Sequence, residues 1–285
     1  MKDTLFSSQF RLNAKGILHE FSKPIVMGIL NATPDSFYAA SKIKETALGI
    51  KKAKQMIAEG AGILDIGGYS SRPGATEVSE SEEIERVTAL IEGIRTEFPS
   101  VLISIDTFRA NVANAAILAG ANIVNDISGG TIDPEILDVA AMYKCPYIMM
   151  HLRGTPQTMM QNTEYDNLIK EVVYFFSNQI EKAKKAGITD IIIDPGFGFS
   201  KTVSQNYELL GKLDVLKLLD KPILAGFSRK SMIYKSLQIT ANESLNGTTV
   251  LNTIALNKGA SILRVHDVKE ACEAVKLSGL VWGNL

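Results

Sequence analysis

The sequence predicts an α/β fold of the (β/α)8, or TIM-barrel, class, with a β-hairpin in front of the barrel. Eight short apolar runs recur along the 285-residue chain, and the stretches between most of them carry apolar residues at helical spacing. Helices between successive strands indicate a parallel sheet, because parallel neighbours need a crossover connection. Eight such strands are the number that closes into a barrel with an interior filled by side chains.

The predicted strands share an apolar body and a polar or glycine-rich C-terminal end. They are residues 24–31, 62–68, 102–107, 123–128, 146–151, 190–196, 222–228 and 262–266. In barrels of this class the chemistry lies where the strands end. Polar residues at these ends are therefore the candidates for one active-site mouth: Asn31, Asp65, Asp106, Asn125, Asp126, His151, Asp194, residues 228–230, Arg264 and His266.

The remaining elements follow from turn and helix signals. Residues 9–12 and 17–21 flank a turn that contains Asn and Gly, and they predict a β-hairpin that plugs the bottom of the barrel. Ser79 or Ser81 is the expected N-cap of the second helix. Apolar spacing predicts outer helices at residues 46–59, 81–97, 110–119, 134–143, 168–186, 248–258 and 269–278. Glycines stand at the position that ends a helix: Gly60, Gly120, Gly187 and Gly259.

The composition fits one domain without a membrane segment. No linker divides the chain, so residues 1–285 are predicted to form a single domain. An open, doubly wound sheet is the alternative, but it leaves several strand ends without a role. A net charge of −1 offers no basic surface for a nucleic acid. The first residues lack the apolar core of a signal peptide, and no run reaches the roughly 20 apolar residues of a membrane span. We expect a cytoplasmic protein in which Cys145 and Cys272 are buried thiols.

Two loops are longer than this design needs. Residues 32–45 follow the first strand and residues 69–79 follow the second, and both combine Pro, Ser and Thr with aromatic side chains. Loops of such length in a compact domain are usually functional. We expect them to act as lids over the mouth.

One set of strand-end residues suggests an anion site. Arg264 and His266 are two residues apart on the last strand, so they project on the same face. Asn31 ends the first strand, which neighbours the last one in a closed barrel. The three suggest a site for a phosphate or pyrophosphate that carries Mg2+, an ion that takes few protein ligands beside phosphate oxygens and waters. The alternative is that Arg264 only pairs with a carboxylate and that His266 caps a strand end.

A second set matches a flat heterocycle. Asp106, Asn125 and Asp194 end the third, fourth and sixth strands. Carboxylate and amide groups recognise N–H, NH2 and carbonyl groups that lie in one plane, and Lys230 adds a donor after the seventh strand. The alternative is that the Asp and Asn side chains cap the following helices.

Several neighbours are expected to have structural roles. Helix capping fits Asp126 and Asp133 better than it fits Asp194, which precedes a Pro-Gly segment. Asp65 and His151 are expected to be structural, the latter as a hydrogen-bonded histidine. Met150 is expected to pack in the core or to line the heterocycle pocket.

Seven segments, in order along the chain, resemble the motifs of dihydropteroate synthases. They are residues 28–37, 65–74, 104–107, 125–127, 194–199, 228–231 and 264–266. The resemblance implies a pterin-binding TIM barrel of folate biosynthesis. Such an enzyme condenses 6-hydroxymethyl-7,8-dihydropterin pyrophosphate with para-aminobenzoate to give 7,8-dihydropteroate and pyrophosphate.

The resemblance also implies roles for residues at matching positions. Asn31 would bind Mg2+, and Arg264 with His266 would hold the pyrophosphate. The residues implied to be catalytic are Lys230, Arg264, His266, Asp35 and Arg72. The pterin would be held by Asp106, Asn125, Asp194 and Lys230, with Met150 and Gly226 also in the substrate site. The para-aminobenzoate would be framed by Ser71, Pro73, Phe37, Phe199 and Ser231.

Two positions depart from the commonest pattern of the family. Tyr69 stands where Glu is frequent, and Ser71 stands where Thr is usual and lacks its methyl contact. Both departures bear on the affinity of the second pocket and on sensitivity to sulfonamides.

The chemistry of these residues agrees with the implied activity. Departure of pyrophosphate gains from Mg2+, Arg264 and His266, which stabilise the leaving charge. The pterin ring delocalises positive charge at its methylene carbon, which predicts an SN1-like path. The alternatives are a pterin-dependent methyltransferase, which has no use for the anion site, and a non-catalytic pterin-binding barrel. The helices of the last units are expected to form a homodimer face, as in the family.

Overall fold

The N-terminal hairpin is present, and its turn has the predicted residues. In this computed structural model the described residues are 9–32, 39–69 and 78–282, and for residues 39–44 and 282 only the backbone is described. Strands β1 (Phe10–Ala14) and β2 (Ile17–Phe21) pair antiparallel. Lys15 and Gly16 between them both have positive φ, at 55° and 89°, as the favoured two-residue hairpin turn requires.

Eight parallel strands follow and form a closed barrel. They are β3 (Ile25–Asn31), β4 (Ile63–Gly67), β5 (Leu102–Asp106), β6 (Ile123–Asp126), β7 (Tyr147–Met150), β8 (Ile191–Asp194), β9 (Leu224–Ala225) and β10 (Ile262–Val265). Hydrogen bonding runs in the order β8-β7-β6-β5-β4-β3-β10-β9. The ring closes where Ile193 N–H donates to Pro222 O at 3.0 Å and Ile193 bridges to Ile223. The predicted fold class is therefore confirmed, and the open-sheet alternative was wrong.

Helices surround the barrel at the predicted places, with differences at their ends. They are α1 (Ala39–Ala58), α2 (Glu80–Glu97), α3 (Ala110–Ala119), α4 (Glu135–Met142), α5 (Leu168–Ala186), α6 (Val203–Gly211), α7 (Ser231–Leu237), α8 (Leu245–Asn257) and α9 (Val268–Trp282). Helix α1 begins seven residues before the predicted start, so the first loop is shorter than expected. Helices α6 and α7 were not predicted, although Thr202 and Gln205 form a capping box at the start of α6.

The predicted helix ends carry the expected signals. Ser79 is the N-cap of α2, and its Oγ accepts a hydrogen bond from Glu82 N–H at 3.3 Å. The four glycines predicted to end helices all have positive φ, at 105°, 124°, 101° and 99°. Such a conformation costs glycine little, because it has no Cβ. The predictions for these five helix ends are confirmed.

The lower part of the barrel interior is an apolar layer with one residue from each strand. Its members are Met27, Ile63, Leu102, Ile123, Ile148, Ile192, Leu224 and Ile262, all buried. Leu12 and Ala14 of the hairpin belong to the same cluster, and Phe10 and Phe21 pack against it. The hairpin thus closes this end of the barrel, as predicted. No helix within the described ranges is long and apolar enough to cross a membrane.

Candidate active site

The polar residues of the site form the next layer of the barrel interior. Side chains alternate between the two faces of a strand, so residues two positions after the apolar layer face the same interior. This second layer consists of Ile29, Asp65, Ser104, Asn125, Met150, Asp194, Gly226 and Arg264. The alternation that buries apolar groups below therefore places carboxylates, an amide and a guanidinium together above them.

Asp65 and Arg264 form the centre of this polar layer. Asp65 is fully buried, and its Oδ2 accepts hydrogen bonds from Arg264 Nε at 2.6 Å and from Asn125 Nδ2 at 3.1 Å. Arg264 Nη2 also donates to Asp106 Oδ2. Burial favours the neutral form of Arg264, but the charges of Asp65 and Asp106 outweigh it and raise the pKa of the guanidinium. Arg264 is consequently a permanent cation held between two carboxylates.

Asp106 ends β5 and contacts this cluster through Arg264. Burial raises the pKa of Asp106 to about 7; the charge of Arg264 opposes this rise, and the charges of Asp65 and Glu83 add to it. Two protonation states are therefore accessible to this carboxyl under physiological conditions. Either state offers hydrogen bonds to a heterocycle, as an acceptor alone or as an acceptor and a donor.

Asp194 and Lys230 form the second charged pair of the site. Asp194 Oδ1 accepts a hydrogen bond from Gly196 N–H at 2.8 Å. Burial raises the pKa of Asp194, and the positive charge of Lys230 opposes this rise. Lys230 Nζ donates to Phe197 O and lies 4.6 Å from the centroid of the Phe199 ring. Burial lowers the pKa of Lys230 to about 8, so the ammonium form still predominates at neutral pH.

An apolar wall lies beside the polar layer. The buried members are Ile127, Met150, Leu152 and Met159, and Phe108, Ile132 and Phe199 pack against them. Met150 ends β7, and the other side chains come from the loops after β5, β6, β7 and β8. Aromatic and methionine side chains provide contact area for a flat ring. Met150 and Phe199 belong to this one cluster, and their predicted contacts with the pterin and with para-aminobenzoate stay predictions.

The predicted anion site is only partly assembled. His266 Nδ1 lies 2.9 Å from Ser228 Oγ, which also accepts a hydrogen bond from His266 N–H at 3.1 Å. Burial lowers the pKa of His266 to about 4, and the charges of Arg264 and Arg229 add to this effect. The imidazole is therefore neutral at pH 7. Arg264 is paired with carboxylates, as the alternative interpretation expected, and its contact with an anion remains a prediction.

The structure shows where three further predicted site residues lie. Asn31 is exposed at the C-terminal end of β3, which pairs with β10. Ser231 is the first residue of α7, directly after Lys230 at its N-cap. A Cβ placed on Gly226 would lie 3.7 Å from Arg264 Cβ and 3.9 Å from Lys230 Nζ. Glycine at this position keeps space open between the two cations.

Some predicted site residues lie outside the described ranges, and one predicted structural role was wrong. The residues outside these ranges are the loop residues Asp35, Phe37, Ser71, Arg72 and Pro73, and with them most of the two predicted lids. Asp133 caps helices as expected, since its carboxylate accepts from Ala110 N–H at 2.7 Å and Glu135 N–H at 3.3 Å. Asp126 does not cap a helix. It accepts from Ser128 N–H, Gly130 N–H and Tyr147 Oη, and so shapes the loop after β6.

Asp65 was first a candidate for the mouth and was then expected to be structural. It is buried and connects Arg264 to Asn125 in the centre of the site, which agrees with a structural role. The available signal was its place in the strand, two residues after the apolar layer on the face that also carries Arg264. Ser104 belongs to the same layer, and its Oγ is buried and has no hydrogen-bond partner among the described residues.

The comparisons with known proteins place this geometry in a family. The family described as pterin binding enzymes matches residues 27–266. A dihydropteroate synthase from Synechocystis is 49% identical over 260 residues, which are 90% of each chain. The solved dihydropteroate synthase of Yersinia pestis with a sulfonamide drug complex has a TM-score of 0.89 and 39% identity, covering 96% of this chain and 100% of that one. The Xanthomonas albilineans dihydropteroate synthase with 4-aminobenzoic acid has a TM-score of 0.87 and 36% identity, covering 95% and 97%.

Proposed function

The chain belongs to the dihydropteroate synthase family of pterin-binding transferases, and from this premise we propose its substrates and its chemistry. It condenses 6-hydroxymethyl-7,8-dihydropterin pyrophosphate with para-aminobenzoate, which gives 7,8-dihydropteroate and pyrophosphate. The observation that carries the proposal is the polar layer, which contains Asn125 and Asp194. Asp106 is bonded to Arg264 of this layer, Lys230 Nζ lies beside Gly226 of the same layer, and the apolar wall is adjacent through Met150. Relatives solved with 4-aminobenzoic acid support the second substrate.

The polar layer fits the edge of a pterin ring. Asn125 donates its Nδ2 to Asp65, which fixes the amide and leaves its carbonyl oxygen on the other side. Asp194 is oriented by Gly196 N–H at one oxygen, so its second oxygen is directed elsewhere. Acceptors from these residues match the N–H and NH2 groups of the ring, and the Lys230 ammonium matches its oxygen or nitrogen acceptors.

The charges of this layer favour an SN1-like path. The carboxylates of Asp65 and Asp106 both contact the Arg264 guanidinium, and Asp194 adds a third carboxylate to the site. As the methylene C–O bond breaks, its electron pair leaves with pyrophosphate and positive charge spreads over the pterin ring. Preorganised carboxylates stabilise that charge as it develops. The neutral arylamine nitrogen then forms the C–N bond and loses a proton.

A Mg2+ ion that arrives with the pyrophosphate fits the residues at the mouth. Within the ranges that the structure describes, no three His, Cys, Asp or Glu side chains are grouped to hold a metal. Mg2+ commonly uses one or two protein oxygens together with substrate phosphates and waters, and exposed Asn31 offers an amide oxygen beside β10. The ion would stabilise the leaving charge. His266 offers a neutral imidazole N–H to the same anion.

The direct test of this function is product formation. Purified protein is mixed with the pterin pyrophosphate, para-aminobenzoate and Mg2+, and dihydropteroate and pyrophosphate are measured. Loss of product on removal of para-aminobenzoate, and inhibition by a sulfonamide, are the expected controls. A folded preparation that binds neither substrate contradicts the proposal.

We also propose a homodimer that uses the outer face of α8 and α9. This face has exposed apolar side chains on both helices: Val250, Ile254, Leu277, Leu280 and Val281. A groove of about 330 Å³ runs between the helices. Sedimentation of the wild-type chain is expected to give a dimer, and Leu280→Glu is expected to give a monomer. A monomeric wild-type chain at micromolar concentration contradicts this assignment.

The cytoplasm is the proposed location, since Cys145 and Cys272 are both unpaired thiols, as in reducing compartments.

A further inference from the structure

One buried cation at the barrel mouth has no part in the proposed chemistry. Lys201 ends the loop of residues 195–201 after β8, and only 2% of it is exposed. Its Nζ makes hydrogen bonds to His151 Nδ1 at 3.0 Å, to Gly196 O at 3.1 Å and to Phe199 O at 3.1 Å. An ammonium group has three donors, so these three neutral acceptors use all of them.

The contacts of Lys201 join two loops of the mouth. His151 follows β7, and its backbone N–H donates to Asp194 O at 2.9 Å. Its ring meets the edge of Phe175 at a centroid distance of 4.9 Å. Burial and the neighbouring charge of Lys201 hold the pKa of His151 well below its usual value. The ring is therefore neutral, and its Nδ1 accepts a hydrogen bond from the Lys201 ammonium.

The segment that Lys201 holds provides contacts to both members of the second charged pair. Gly196 N–H donates to Asp194 Oδ1, Phe197 O accepts from Lys230 Nζ, and the Phe199 ring lies against that ammonium. Lys201 binds the carbonyls on either side of this stretch. A displacement of these carbonyls therefore changes the position of groups that touch Asp194 and Lys230.

Close packing at Gly196 fixes the distance between this loop and the backbone of His151. Gly196 has a φ of +71°, and a Cβ added there would lie 2.2 Å from His151 O. The loop thus packs directly on the backbone that follows β7, with the Lys201 ammonium beside the contact.

Lys201 also adds positive charge near Asp194, which is proposed to bind the substrate. The charges of Lys230, Arg264 and Lys201 all act to lower the pKa of Asp194, against the larger effect of its burial. Burial lowers the pKa of Lys201 itself to about 7; the charge of Asp194 opposes this, and those of Lys230 and Arg153 add to it. Below that pH, Lys201 is a full cation near Asp194.

We propose that Lys201 is a positioning residue for the pterin site, which holds residues 195–201 against His151 and places a buried positive charge behind Asp194. The inference rests on the proposed function, in that Asp194 is taken to bind the pterin. It assigns no contact between Lys201 and substrate. The effect on substrate is exerted through Asp194 and through the loop.

The test compares pterin binding by variants of the full chain over a range of pH. The probe is 6-hydroxymethylpterin, whose fluorescence gives the Kd, and steady-state rates give kcat and KM for both substrates. Lys201→Met is expected to raise the Kd at least tenfold, or about 1.4 kcal/mol. The acid limb of binding, which is the pH range in which affinity is lost on acidification, is also expected to move to higher pH. The reason is that loss of a nearby cation raises the pKa of Asp194.

Two further variants separate the effect of the Lys201 charge from the effect of its hydrogen bonds and from the effect of replacing any lysine. Lys201→Gln keeps donors for the carbonyls but has no charge, so the Kd is expected to recover in part while the acid limb stays displaced. Lys212→Met is the matched control, because Lys212 is exposed and pairs with Glu208 at 2.9 Å on the surface. Its Kd and acid limb are expected to equal those of the wild type.

The outcomes distinguish this inference from the function on which it depends. Folded Lys201→Met with the Kd and acid limb of the wild type overturns the positioning role, whatever its thermal stability. Should Lys201→Met fail to fold, Lys201→Gln decides, and an acid limb at the wild-type position overturns the role. A wild-type chain that does not bind the pterin overturns the proposed function itself.

Discussion

Replacement of Asp65 by Asn removes one charge from the centre of the polar layer and keeps the size of the side chain. The native carboxylate accepts from Arg264 Nε at 2.6 Å and from Asn125 Nδ2 at 3.1 and 3.3 Å. An amide has one oxygen for these donors, and its NH2 group faces another N–H. Asp65→Asn therefore leaves at least one buried donor without an acceptor.

The size of the effect follows from the type of bond lost. A hydrogen bond to a charged group contributes about 1.5–3 kcal/mol, and removal of one member of a buried ion pair costs about 3–5 kcal/mol. Arg264 keeps Asp106 as a partner, which places the expected loss near the lower bound. We expect the free energy of unfolding to fall by about 3 kcal/mol.

Urea unfolding followed by circular dichroism measures this loss, with Asp214→Asn as the matched control. Asp214 pairs with Lys258 at 3.3 Å, and half of its side chain is exposed. Exposed pairs contribute about 0–1 kcal/mol, so the same substitution there is expected to change little. If Asp65→Asn is as stable as Asp214→Asn at neutral pH, the buried ion pair does not hold the polar layer together.

Three further predictions address single features of the site and the barrel. The pKa of His266 is expected near 4 by NMR titration; because this lies below the unfolded value, its contribution to stability is present above pH about 6.5 and is lost as the pH falls toward 4. Added pyrophosphate is expected to raise that pKa, and no change on saturation would argue against an anion contact. Gly196→Ala is expected to lower the melting temperature and abolish pterin binding, because its Cβ would meet His151 O at 2.2 Å, whereas Gly211→Ala, with nothing within 4 Å, is the neutral control. Ile192→Ala, in the apolar layer, is expected to cost about 2–5 kcal/mol of unfolding free energy with an unchanged KM for both substrates, and a changed KM would mean that the two layers are coupled.

The barrel was predictable because its signals are local and periodic. Apolar runs gave the strands, and Ser79 and the four helix-ending glycines gave helix boundaries. The short helices α6 and α7 were missed because the apolar residues over so few turns do not establish a period. Strand β9 is only two residues long, against seven predicted, since a run of apolar residues does not show where the hydrogen-bonded ladder ends.

The sequence predicted candidate site residues but not the contacts between them. Strand ends and the family resemblance pointed to Asp106, Asn125, Asp194 and Lys230, whose roles toward a substrate stay predictions. The sequence left open whether Arg264 would bind an anion or a carboxylate, and it did not indicate Asp65 as the partner, because that contact joins residues 199 positions apart and depends on the barrel's closure. The Lys201 contact with His151 spans 50 positions and is equally non-local.

The two layers of the barrel interior explain why one fold supports both stability and catalysis. The lower layer has eight apolar side chains and the hairpin beneath them, and it excludes water without polar contacts. The upper layer lies two residues further along the same strands, so its charged groups lie directly above the apolar layer. Charges interact more strongly where water is excluded, and in the proposed mechanism carboxylates placed there stabilise a developing cation without moving. The same placement makes each buried charge dependent on a partner, which is why Asp65, Arg264 and Lys201 are each bonded to several groups before any substrate enters.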